Sequence, residues 1–347
     1  MFAQTYAEAR DAFRAEAQAA GGQLESLDVV EVEEHGMLTI DAAIFGAESS
    51  RALVISSGLH GVEGFAGSAI QRQCIANGVP DGVRLVLVHA LNPFGMACSR
   101  RVNEHNVDLN RNFCSEEQFS GASDGYRMLE PFLNPKTPHE GFELVELRAL
   151  WLILRHGMPA LKQAVAGGQY DFPKGVFYGG DALQPGPRAL LEALPKWLAG
   201  VERMVYIDVH TGLGKSGTYS LLVDHVAGSE AHLACREAYG PEVQPWMAGE
   251  GVAYQITGGL PGALETLFGD AVQVLTQEFG TVPAIAVIKA LRAENRATHW
   301  GGDLTGARET LKRTFYRDDE RWKADVLAGG AKVISQSLAQ LAPMPAS

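Results

Sequence analysis

The chain has 347 residues, 46% of them hydrophobic, and a formal net charge of −12. This is enough apolar material for a large core, while the acidic surplus excludes a nucleic-acid surface, which needs clustered Lys and Arg. No apolar run reaches the roughly 20 residues of a membrane span, and four cysteines without a CxxC pair read as reduced thiols, so a cytoplasmic protein with small-solute partners is expected.

The first residues, MFAQTYAEARDAFRAEAQAAGG, read as an amphipathic helix rather than a signal peptide. Stretches 24–33 and 37–45 form a hairpin, the second with alternating Leu38, Ile40, Ala42 and Ile44. Apolar strands follow at 52–57, 83–89, 203–209, 219–223 and 272–279, and helices fit 64–77, 143–166, 188–199, 229–239, 284–297 and about 319–341. That order predicts an α/β fold with a mixed sheet between helix layers. Residues 114–141 and 167–187 break the rhythm as long polar or Gly-, Pro- and aromatic-rich loops, the kind that carry function. A single catalytic domain is expected, with an N-terminal helix and hairpin over about 1–48 and a lid-like insertion over about 114–187.

Four strand ends carry the chemistry. SGLHGVEG, residues 57–64, sets His60 and Glu63 three residues apart at a glycine-rich strand-to-helix turn. NPFGMACSRRVNEHNVDLNRNF, residues 92–113, gathers Arg100, Arg101 and Arg111 with Asn103, Asn106, Asn110 and Asn112 behind another strand, an anion-binding composition. VYIDVHTGLG ends a third strand on His210, and VLTQEFGT ends a fourth on Glu278. In open α/β sheets the crevice beyond the carboxyl ends of the strands is where ligands bind. Two histidines and a carboxylate make a three-ligand set that holds zinc with a position left open. The remaining histidines lack partners at metal-like spacing, His105 being notable only because it lies in the arginine loop. The acidic run 31–34 reads as a solvated strand edge.

The ordered set HGVE, R-x-N-x-x-x-V-D-L-N-R-N-F, D-V-H-T-G, Y-Q-I-T-G-G and Q-E-F-G-T, spread over about residues 55–282, resembles the zinc carboxypeptidases, the funnelin or M14 type. More narrowly, it is similar to their compact bacterial branch known as DUF2817. The resemblance implies a mixed, roughly eight-stranded sheet and one zinc ion per chain, held by His60, Glu63 and His210. It implies Glu278 as the general base toward the attacking water and Arg101 as the arginine that stabilises the oxyanion, with Arg100 as its alternative if the loop register shifts. Asn110 and Arg111 would bind the substrate's free carboxylate and Tyr254 would close over it. Asp108 would hold the His60 imidazole, and Asp208, two residues before His210 and so on the same strand face, would orient that ring or pair within the sheet.

A metallocarboxypeptidase acting on short peptides is the reading these motifs imply, with the insertion narrowing the cleft. The pocket for the terminal side chain would lie near residues 260–262, where no acidic residue stands, so a neutral or apolar terminal residue is expected. An N-acyl-amino-acid amidohydrolase resembling aspartoacylase and succinylglutamate desuccinylase is the alternative. A protein that only binds carboxylate-terminated ligands is the third.

Overall fold

Strands covered on both faces are near-continuous apolar runs, and 51–57, 84–89 and 203–212 are that kind of segment. The computed structural model describes residues 1–46, 48–138, 145–246 and 256–343. Eight strands are formed: β1 (Gln23–Val32), β2 (Gly36–Phe45), β3 (Arg51–Ser57), β4 (Arg84–His89), β5 (Arg203–Gly212), β6 (Tyr219–Val223), β7 (Val243–Pro245) and β8 (Val272–Gly280). They make one mixed sheet in the order β1-β2-β4-β3-β5-β8-β6-β7. The central β4, β3, β5 and β8 are parallel, β2 runs against both β1 and β4, and β6 runs against β8 but parallel to β7.

The helices are α1 (Tyr6–Ala19), α2 (Gly64–Ala76), α3 (Pro93–Ala97), α4 (Asp124–Leu133), α5 (Val145–His156), α6 (Met158–Ala166), α7 (Pro185–Trp197), α8 (Glu230–Tyr239), α9 (Leu260–Phe268), α10 (Ala284–Trp300), α11 (Leu304–Phe315) and α12 (Glu320–Leu341). Helices α1, α2, α8 and α12 pack on one face of the sheet, with Phe13, Phe65, Tyr239 and Trp322 in their core. Helices α7 and α9 cover the other, around Leu190, Leu194, Trp197 and Leu264. A third cluster, built from α4, α5, α6, α10 and α11, includes Val62, Phe177 and Phe315 and so lies over the turn that follows β3.

Several elements differ from expectation for identifiable reasons. The helix expected over 143–166 is two, because Gly157 turns to φ +79° and Pro159 then opens α6. Helix α5 is apolar on both sides: Ala149 and Leu152 turn inward, while Leu150, Trp151 and Leu154 are exposed. The polar stretch 114–141 contains α4, whose start is capped by Ser123 accepting from the Tyr126 N–H. Helix α9 starts directly on a glycine pair that signals only a turn, and α11 is a short, mostly polar helix that buries Leu311, Thr314 and Phe315. Among the described residues no helix is long and apolar enough to cross a membrane.

Connections from β3 lead through α2 to β4 on one side, and β5 lies on the other. The sheet therefore changes winding direction between β3 and β5, and a crevice opens at their carboxyl ends.

Candidate metal centre and its cleft

His60 ends the extended segment after β3, and a single helical turn over Gly61–Glu63 brings Glu63 back beneath it. This turn sits close against α3, so close that a Cβ on Gly61 would fall 2.0 Å from the Gly95 carbonyl carbon. The Gly61 and Val62 N–H groups donate to the carbonyls of Arg101 and Arg100 at 3.1 and 3.0 Å. That docking carries the arginine loop to the ligand turn. His210 arrives on β5 directly opposite Glu278 on β8, in register across a parallel pair.

His60, Glu63 and His210 are all buried and offer ligand atoms within 4.8 Å of one another. His60 Nδ1 lies 3.0 Å from Glu63 Oε1, His210 Nδ1 lies 3.0 Å from Glu63 Oε2, and the two Nδ1 atoms are 3.2 Å apart. A tetrahedral ion with bonds of about 2.0–2.1 Å separates its ligands by about 3.3 Å, so the three donors already stand at nearly the required spacing. The opposite ring edges are held by carboxylates: His60 Nε2 is 3.1 Å from Asp108 Oδ1, and His210 Nε2 is 2.7 Å from Asp208 Oδ2. An imidazole donating Nε2–H to a carboxylate presents its Nδ1 lone pair, the arrangement usual around metal-bound histidine. Ser56 fixes Asp208 in turn through a 2.6 Å hydrogen bond.

The charges are strongly interdependent. Burial alone would raise the Glu63 carboxyl, but His60, His210 and Arg101 outweigh it and hold the group well below the ordinary carboxylate range. Burial would likewise lower His210, yet Asp208 and Glu63 prevail and keep its imidazolium well above the ordinary value. A metal binding there would therefore compete with the proton that Asp208 and Glu63 favour on His210. Metal binding near neutral pH is expected to release about one proton, measured by calorimetry in buffers of different ionisation enthalpy. Heats that do not vary with the buffer would contradict it.

Arg101 and Arg100 separate cleanly. Arg101 faces the ligands, with Nη1 2.9 Å from Glu63 Oε1, Nε 3.1 Å from Asp108 Oδ2 and Nη2 2.8 Å from His60 Nε2. Arg100 points away into a buried pair with Glu294 at 2.6 Å and donates to Asn106 at 3.0 Å. Losing one partner of a buried ion pair costs roughly 3–5 kcal/mol. Arg100→Ala should therefore lower the melting temperature markedly, and an unchanged transition would mean that Glu294 had found other compensation.

Glu278 is partly open to the cleft, and its Oε1 accepts from the Leu213 N–H at 2.8 Å. Burial, with the nearby Glu63 charge adding to it, pushes this carboxyl up to about 7. Asn110 Oδ1 accepts from the Leu260 N–H at 3.0 Å, and the residue lines the cleft. Arg111 is wholly buried, its Nη1 donating to the Asn110 carbonyl at 2.8 Å. Tyr254 lies outside the described residues. His105 stands apart from the ligands, its Nδ1 2.7 Å from Gln184 Oε1.

Sequence reasoning did not anticipate the supporting groups. Thr211 N–H donates to Glu63 Oε2 at 3.1 Å, and Phe177 and Phe315 flank the Arg101 guanidinium at 5.4 and 6.0 Å. The backbone donor follows His210 directly and could have been suspected, whereas the two aromatic residues come from distant segments with no shared motif. The cleft itself is a cavity of about 440 Å³ at the ligand cluster. A second cavity, about 840 Å³, is lined by Phe113, Cys114, Pro261 and Gly262, so part of the expected specificity stretch lies there, with Trp246 in the walls of both. Leu260 is buried.

The sheet order and the His–Glu–His cluster at its carboxyl ends define a carboxypeptidase-like α/β protein with a candidate metal site. The chain belongs to the family described as "Protein of unknown function (DUF2817)", whose model matches residues 2–329. Among solved structures, bovine thrombin-activatable fibrinolysis inhibitor in complex with tick carboxypeptidase inhibitor is 13% identical, with 98% of each chain covered and a TM-score of 0.50. A candidate metallopeptidase of Shewanella baltica OS155 is 15% identical over 96% of this chain and 91% of its own, TM-score 0.49. Carboxypeptidase A of Helicoverpa armigera is 13% identical over 92% and 74%, TM-score 0.47. At such identities the likeness is one of fold. The search of curated proteins returned no match.

Proposed function

We propose that this chain is a zinc-dependent hydrolase that cuts an amide bond next to a free carboxylate, acting as a metallocarboxypeptidase on short peptides. The observation that carries this reading is the convergence of three ligand atoms within 4.8 Å beside a carboxylate, Glu278, that stands in register with His210 and lines the same cleft. His60, Glu63 and His210 would hold one zinc ion, for which two imidazoles and a carboxylate are a suitable set. When bound, zinc supplies a Lewis acid and lowers the pKa of a coordinated water to about 7.

The chain's own residues do the rest. Glu278 accepts the proton of the attacking water and passes it to the departing amine, a task suited to a carboxylate that lines the cleft beside the ligands. Arg101 offers its guanidinium to the charge that develops on the carbonyl oxygen, worth on the order of 3 kcal/mol for a donor of this kind. Asp108 and Asp208 orient the two imidazoles. Asn110, which lines the cleft, would receive the substrate carboxylate with Arg111 held behind it on the Asn110 carbonyl, and Tyr254, outside the described residues, would close over it. The substrate is small, because α4, α5 and α6 stand in the cavity wall. The same wall favours a second reading, an N-acyl-amino-acid amidohydrolase, since most of the described residues that line the cleft are apolar and suit a compact acyl group.

The deciding experiment is mass spectrometry of short peptides and N-acyl amino acids incubated with zinc-loaded protein. Release of C-terminal residues supports the peptidase and release of acyl groups the amidohydrolase. No cleavage of any member would sink both.

A further inference from the structure

The walls of the cleft are chemically unequal. Its polar residues gather at one end: the three ligands, Arg101, Asn110 and Glu278. Away from that end the lining comes from α4, α5, α6 and α10 and includes Phe132, Ala149, Leu152, Leu161, Val287 and Leu291. The polar exceptions in the lining are Thr211, Thr276 and Lys289, and Lys289 has a partner of its own. A cavity of 440 Å³ walled in this way is large for a short polar group and suited to an extended apolar one.

An amide substrate with a terminal carboxylate divides at the bond to be cut. The carboxylate side needs polar donors, and Asn110 stands at that polar end of the cleft. The acyl side is left with the apolar wall. Resting on the hydrolase reading above, we propose that the acyl side of the substrate is a large apolar group, best met by a medium-chain fatty acyl group on an amino acid. Small polar acyl groups such as acetyl or succinyl would leave the wall wet and gain nothing from it. Each methylene buried there is expected to raise kcat/KM about fourfold until the cavity is full. An apolar residue of an N-blocked peptide shares this chemistry and is the other possible source of the group.

Two measurements test the proposal. In metal-free protein, displacement of the fluorophore 1-anilinonaphthalene-8-sulfonate by decanoate should be far stronger than by butyrate, and Ala149→Phe, which fills the cavity from α5, should weaken it. In zinc-loaded protein, an N-acyl series from two to twelve carbons on one amino acid should show a rising kcat/KM with a maximum that Ala149→Phe moves to shorter chains. N-blocked peptides with apolar residues, run in parallel, separate the two sources, and their clear superiority would overturn the fatty-acyl assignment. Hydrolysis that is best for acetyl or succinyl substrates, or decanoate no better than butyrate, would overturn the proposal as a whole. Displacement as expected with no hydrolysis of any amide would instead sink the hydrolase reading and leave the apolar site standing.

Discussion

Glu278→Gln is expected to lower kcat by about two to four orders of magnitude, the range in which a positioned proton acceptor contributes, while metal content stays at the wild-type level. Gln keeps the shape of the side chain and can still receive the Leu213 N–H, but it cannot take up a proton. A bound cation draws the carboxyl below its metal-free value of about 7. The acid limb of kcat/KM against pH should therefore fall below pH 7 and disappear in the variant. Turnover within a few-fold of wild type would refute Glu278 as the base.

The same substitution has a signature in stability that does not depend on activity. The folded pKa of Glu278 is raised above the ordinary carboxylate value of 4.5 to about 7. The folded protein thus binds more protons than the unfolded chain between these values, and the group's contribution to stability is lost as pH rises through that window. In metal-free protein, Glu278→Gln should accordingly raise the melting temperature more at pH 8 than at pH 5. An equal effect at both would mean that the carboxyl is not perturbed.

Glu63→Ala is the second large effect. It removes a ligand and leaves both Arg101 and the His210 imidazolium facing each other without their shared carboxylate. Metal measured by plasma mass spectrometry after dialysis should fall well below one ion per chain. Asp108→Asn touches no ligand atom and should weaken metal binding only about 10–100-fold, as substitutions of a carboxylate behind a ligand histidine do. Stoichiometric metal retained in Glu63→Ala would remove this residue from the ligand set.

Much of this site was legible before any coordinates. His60 and Glu63 follow β3, while His210 and Glu278 lie at the carboxyl ends of β5 and β8, places that sequence patterning can locate. Alternation and apolar runs likewise placed seven of the eight strands of the sheet. The misses were the short β7 and helices α3, α4, α9 and α11, and the division of the 143–166 helix at a glycine.

The sequence by itself determined which residue types stand at the strand ends, because local hydrophobic pattern decides where strands stop. Only the tertiary structure decided between two adjacent arginines: register along one loop turns Arg101 to the ligands and Arg100 to Glu294, almost two hundred residues away. It also decided the chemistry of the cleft wall. Helices α4–α6 and α10 are amphipathic or apolar segments whose sequences say that they bury something, but which of their faces meets a cavity and which meets a core depends on packing between parts of the chain far apart. Contacts of that kind carry no local signature.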